Sequence, residues 1–195
     1  MPVSECVYTN PVVRPLTASD PEIVARISGY LAQREWPATS WSLAEVAPAA
    51  GLSPAGLVKR FGSRAGLLRA LGEHWVDTIP AVPTTAQPLQ ELRAFARATF
   101  AAPSAHAARA GIGDLVSGLA QGASAALLDE GFARQRGYVS ALIQALELPR
   151  AGDSDAAARL LLDALHGGLV RQASGTQGSG ASPDDTIDYL LGLWT

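Results

Sequence analysis

The chain has one cysteine, Cys6, and one lysine, Lys59, among its 195 residues. A lone cysteine excludes an intrachain disulfide framework and suits a reducing compartment. No uninterrupted apolar run is long enough to span a bilayer, so no membrane partner is expected. Residues 1–20 contain no apolar core and are broken by Pro2, Pro11 and Pro15, so no signal peptide is expected either. These absences together predict a cytoplasmic protein. Charged residues make up only 17% of the chain, yet 48% is apolar, which places it among globular chains. Strand signals are also missing: β-branched residues do not alternate, whereas Ala and Leu recur at spacings of three and four. The apparatus of catalysis is not visible, with no nucleophile elbow, phosphate-binding glycine loop or HExxH pair. The expectation is an all-α protein that is not an enzyme and carries no cofactor or metal.

The pattern predicts about nine helices. The first starts with Asp20 as N-cap and Pro21 at the first helical position, carries the stripe Ile23, Ile27, Tyr30 and Leu31, and ends near Arg34, before Trp36 and Pro37. Ser42 opens a second helix with Glu45 at capping-box spacing, and Gly51 closes it. Ser53 caps a third, with Pro54 at its first position and its end near Phe61-Gly62. Ser63 caps a fourth, on which Leu67, Leu71 and Trp75 fall four apart. A proline- and threonine-rich connection follows at 77–88. Five further helices are expected at 89–101, 105–119, 123–148, 155–172 and 183–194, separated most clearly at 149–153 and 174–182. The division that results is a flexible segment 1–19, a small helical unit 20–76 and a larger one 77–195.

Charge is unevenly spread. Residues 42–72 hold Lys59, Arg60, Arg64 and Arg69 against Glu45 alone, a net of +3 within a chain of net −3. A local basic patch suffices for phosphate binding, because screening confines the field to roughly 8–10 Å at physiological salt. The same segment has the logic of a helix-turn-helix. Leu43, Val46 and Ala47 face inward, Ala50 permits close approach, Gly51 supplies a left-handed turn, and Leu52 plugs the corner. Leu57 and Phe61 anchor the inner side of the next helix. Pro54, Ala55, Gly56, Val58 and Lys59 are left to face outward, where small residues let the backbone approach a major groove. Arg64, at the start of the fourth helix, is placed to reach a phosphate with nearby backbone N–H groups.

Ala50-Gly51-Leu52-Ser53, Leu57, Phe61-Gly62-Ser63-Arg64 and Leu67-Leu68 resemble the TetR family of bacterial transcriptional regulators. The likeness covers about thirty residues near the N-terminus, behind one helix. Two positions depart from the family's pattern: Val58 stands where a tyrosine is usual, and Pro48 lies inside the first helix of the motif, where it removes a backbone hydrogen bond. The resemblance implies a homodimer that sets two recognition helices into successive major grooves of a palindromic operator, with Ser42, Ser53, Pro54, Ala55, Gly56, Val58, Lys59, Arg60 and Arg64 at the DNA. It also implies release from the operator by a small-molecule effector held in the larger helical domain.

Trp75, Phe95, Phe132 and Tyr138, on helices expected to surround a central cavity, are candidate pocket walls, with His106 and His166 as polar groups that orient an effector. Core filling is the plainer role for each aromatic residue. Leu161, Leu165 and Gly168 on one C-terminal helix and Leu190, Leu191 and Trp194 on the other are candidates for a four-helix dimer interface, the alternative being that both helices cap the monomer core. Asp163-x-x-His166 puts an acid and an imidazole on one face, half of a metal site with no second pair to complete it. Two rival readings follow. One is a helical dimer that binds a ligand or protein and has lost specific DNA binding; the other is a small helical enzyme.

Overall fold

The structure is a computed structural model that describes residues 18–33, 41–119, 122–175 and 182–195. Among the described residues it is all-helical, with nine helices and no strand. None of these helices is long and apolar enough to cross a membrane.

Helix α1 (Asp20–Ala32) begins one residue earlier than the sequence suggests. Ser19 is its N-cap: the hydroxyl accepts from Glu22 N at 3.4 Å, and the Glu22 carboxylate accepts from Ser19 N at 2.7 Å. Asp20 therefore stands inside the first turn, where its charge favours the helix dipole. The expected end at Arg34, the stop at Trp36 and Pro37, and nearly all of the proposed 1–19 segment lie outside the described residues.

Helix α2 (Leu43–Ala50) has the expected capping box, with Ser42 and Glu45 exchanging bonds. It continues through Pro48, which lies in the last turn and costs only the bond to one carbonyl. Gly51 ends it at φ 66°, a left-handed conformation open to glycine without strain. Helices α3 (Pro54–Phe61) and α4 (Arg64–Thr78) are capped by Ser53 and Ser63. The expected connection at 77–88 is shorter, because α4 runs on to Thr78 and Pro88 already opens the next helix.

The remaining helices are α5 (Pro88–Phe100), α6 (Ala105–Leu119), α7 (Gly122–Ala145), α8 (Ser154–Ala173) and α9 (Pro183–Trp194). Helix α7 stops three residues short of its expected end, where the chain turns and Glu147 takes φ 50°.

Two apolar clusters organise these elements. Ile23, Ile27, Trp41, Val46, Ala47, Ala50, Leu57 and Leu67 bring α1–α4 together. A larger one joins α5, α7, α8 and α9 through residues such as Leu92, Val139, Leu142, Leu161 and Ile187. Burial of such side chains contributes roughly 1.5–3 kcal/mol each. On the rim of the larger core, α5 and α9 are tied by Arg97 to Asp184, at 2.6 and 2.9 Å, and by Arg93 to Asp188.

One charge is buried by design of the loop around it. Glu91 accepts from Thr84 N (2.7 Å), Thr84 Oγ1 (2.9 Å), Thr85 N (2.8 Å), Thr85 Oγ1 (2.8 Å) and the Tyr138 hydroxyl (2.6 Å). It thereby fixes the α4–α5 connection to α5 and α7. Burial alone would raise its pKa, but the bonds from Tyr138, Thr84 and Thr85 outweigh that and hold it at about 2. The Tyr138 phenol is pushed above its ordinary value by burial and by its bond to Glu91.

Because the folded pKa lies below the usual value of 4.5, this stabilisation is full above pH 4.5 and is lost as pH falls toward 2. Glu91→Ala is expected to lower stability by about 3 kcal/mol, since hydrogen bonds to a charged group and five abandoned donors are involved. Urea unfolding at pH 7 and pH 3 checks this: the difference between the two proteins should be smaller at the lower pH.

Candidate nucleic-acid interface and internal cavity

The α2–α3 corner is built from local chemistry. After Gly51 the Leu52 amide returns to Ala47 O at 3.1 Å, and the Ser53 hydroxyl accepts from Gly56 N at 3.1 Å. The inner side is sealed by Val46, Ala47, Ala50 and Leu57, with Leu52 and Phe61 packed against them. The opposite side of α3 is open. Pro54, Ala55, Val58 and Lys59 are exposed, Val58 to 42%, and Gly56 is half-buried. Ser42 and Ser53 are the exposed N-caps of α2 and α3. A side chain at Gly66 would place its Cβ 1.9 Å from Phe61 O, so the α3–α4 turn is tight enough to require glycine there.

Two of the expected basic residues are turned elsewhere. Arg60 donates to Ala18 O and pairs with Asp20 at 3.2 Å, which binds α3 to the start of α1. Arg64 donates from Nε to Trp41 O at 3.1 Å and stacks its guanidinium 4.6 Å from the centre of the Trp41 ring. Arg69 pairs with Glu73 at 2.9 Å on the exposed side of α4. Lys59 is the cation that the corner presents together with the open face of α3. Spacing along the helix could not have separated Lys59 from Arg60, because the partners of Arg60 lie some forty residues away.

Helix α4 also meets α7 very closely. The Trp75 ring lies so near Gly131 that a Cβ there would fall 2.1 Å from it, and a Cβ on Gly72 would fall 2.9 Å from Leu127. Trp75 meets Phe132 edge to face at 6.5 Å. Arg134 of α7 donates to Val76 O at 2.7 Å and reaches Asp77 at 3.4 Å, closing over the end of α4.

Beside this joint is a cavity of about 510 Å³ bounded by α1, α4, α5, α6, α7, α8 and Trp41. Of the expected pocket residues, Trp75, Phe132 and His166 line it. His166 donates from Nδ1 to Leu162 O at 2.8 Å, since a carbonyl can only accept, and its ring packs on Phe100 and Phe132. Phe95 and Tyr138 lie instead against each other at 5.2 Å around the larger core, where the Tyr138 hydroxyl is taken by Glu91. His106, half-buried on α6, is not among the lining residues. Gln135 was missed by sequence reasoning, although its place in the stripe Phe132, Gln135, Val139, Leu142 marks a polar group on an inward face. Trp41 gave no such signal.

The C-terminal helices require a correction. Leu161, Leu165, Leu190, Leu191 and Trp194 are buried in the chain's own core, and Gly168 is half-buried. The exposed apolar residues on α8 and α9 are Leu160, Val170, Tyr189 and Leu193, each more than half exposed. Several stand one position from an expected one, a rotation of about 100° around the helix. Asp163 and His166 border a second cavity with Asp129, Arg136 and Arg159. Among the described residues no three His, Cys, Asp or Glu side chains gather as a metal site.

No family model matches the sequence, and no curated protein matches it. Among solved structures the fold is similar to that of a provisionally assigned TetR-family transcriptional regulator from Rhodococcus sp.. The alignment covers 89% of this chain and 94% of that one, with a TM-score of 0.58 and 21% sequence identity. The likeness is one of fold, to a protein of the family that the Ala50–Leu68 motif resembles.

The α4–α7 joint yields a direct test. Gly131→Ala should drive a methyl into the Trp75 ring and cost about 1–3 kcal/mol by overpacking. Thermal unfolding should show that loss, and Trp75→Leu in the same chain should recover part of it. Unchanged stability of the single variant would mean that the two helices do not meet here.

Proposed function

We propose that the chain is a DNA-binding transcriptional regulator, working as a homodimer whose two α3 helices enter successive major grooves of a palindromic operator. The observation that carries this reading is the two-sided character of α3. Its inner side is sealed into the first core, while Pro54, Ala55, Val58 and Lys59 form an open face of small residues and one cation. Small side chains allow close backbone approach, and the lysine neutralises a phosphate. The exposed caps Ser42 and Ser53 can donate to phosphate oxygens. Arg60 and Arg64 hold the corner in shape through Asp20 and Trp41.

In this reading residues 20–76 form the DNA-reading head and 77–195 the effector-binding and dimerising body. A cytoplasmic repressor that leaves its operator when an effector binds is the form that the resemblance favours. The body's partner is a second copy, seated on the exposed Leu160, Val170, Tyr189 and Leu193. Gly167 and Gly192 support this, since neither would bring a Cβ closer than 3.4 Å to another group and both allow helices to approach. Reciprocal coupling then requires DNA to weaken effector binding by the factor with which effector weakens DNA binding.

Fluorescence anisotropy with the gene's own upstream region tests the DNA role. Specific binding is expected, and Lys59→Ala should weaken it and reduce the slope of log K against log salt by about 0.9 for each reading helix. Absence of any specific binding would favour the helical dimer without operator recognition. Sedimentation tests the second claim: Tyr189→Glu with Leu193→Glu should convert the dimer to monomer while helix content stays unchanged. A dimer that persists would place the interface elsewhere.

A further inference from the structure

Two buried polar atoms among the described residues have no hydrogen-bond partner, Trp41 Nε1 and Gln135 Oε1, and both residues line the same cavity. Each residue is only 2% exposed. Buried polar groups are nearly always paired, so two orphans at one cavity, a donor and an acceptor, point to a missing partner. The cavity is of the size that holds small organic ligands. Its walls are apolar and aromatic, including Leu31, Leu71, Trp75 and Phe132, and no charged side chain lines it among the described residues. A charged ligand would lose its hydration there without a counter-ion.

We infer that this cavity binds a neutral, largely apolar small molecule that donates a hydrogen bond to Gln135 Oε1 and accepts one from Trp41 Nε1. The bound molecule touches the helix-turn-helix unit itself. Trp41 adjoins the Ser42 cap of α2, its carbonyl accepts from Arg64 Nε, and its ring lies under the Arg64 guanidinium. Gln135 stands on α7, one residue from the Arg134 that closes over α4. One ligand thus bridges the residue that leads into α2 and braces Arg64, and the helix that holds α4. This deepens the effector role proposed above, and rests on that reading only for the consequence at DNA. The neighbouring cavity shares Phe132, Gln135 and His166 but carries Asp129, Arg136, Arg159 and Asp163, so a charged molecule would select that space instead.

The probe is 7-amino-4-methylcoumarin, neutral and flat, with an amine donor at one end and a carbonyl acceptor at the other. Its 3-acetic acid derivative serves as the charged counterpart. Equilibrium dialysis against the full chain should show saturable uptake of about one coumarin per chain, with the acid bound at least tenfold more weakly. Gln135→Leu and Trp41→Phe should each weaken coumarin binding by about tenfold, a loss typical of one hydrogen bond. Gln135→Leu should melt no lower than the parent, because it removes an unpaired buried group. Lack of saturable uptake, equal uptake of the acid, or parental affinity in both variants would overturn the assignment. Dialysis involves no DNA, so a protein without an operator would still give the expected values, and an operator-binding protein could still fail here.

Discussion

Helix α4 belongs to the first core and is clamped against α7 of the larger one, and most of what the molecule can do depends on that. Its first half is sealed among α1–α3 through Leu67. Its second half is fixed to α7, with the Trp75 ring against Gly131 and Arg134 over the Val76 carbonyl. At 1.5 Å per residue this 15-residue helix spans about 22 Å as a single rigid piece. A close-packed joint has no slack to absorb a displacement. A shift of α7 must therefore move the base on which α3 is mounted, or break the contact at Gly131.

The cavity occupies the space behind this lever and is bordered on one side by Trp41. Trp41 and Arg64 form one unit through the Arg64 Nε bond to the Trp41 carbonyl and ring stacking, and that unit links the start of α4 to the start of α2. Whatever fills the cavity acts on both ends of α4 together. The Glu91 cluster holds the α4–α5 connection firmly at the far side, so movement is confined to the joint and is not dissipated in the loop.

Much of the fold was legible because its signals are local. Ser42 with Glu45, Gly51, Ser53 with Pro54, and Ser63 each act within four residues, and each sits where the pattern puts it. What could not be read depends on residues distant in sequence. Leu160, Leu161 and Leu162 are chemically equivalent, and only the packing of α5, α7 and α9 decides that Leu160 faces outward. Arg60 and Lys59 are adjacent cations, yet Asp20 draws one of them inward. Glu91 reads as an ordinary surface acid of a first turn until Thr84, Thr85 and Tyr138 converge on it. The roles of Phe95 and Tyr138 turned on the same point, since a cavity and a core draw on identical side chains.

The central claim is that the open face of α3 lies against a duplex. Lys59 is the one lysine in the chain, so amine-directed acetylation read by mass spectrometry reports on that face alone, apart from the N-terminus. With a duplex carrying the operator bound, the rate of acetylation at Lys59 should fall sharply, and a random duplex of equal length should protect it far less. An unchanged rate at Lys59 in a complex that demonstrably contains DNA would contradict the account.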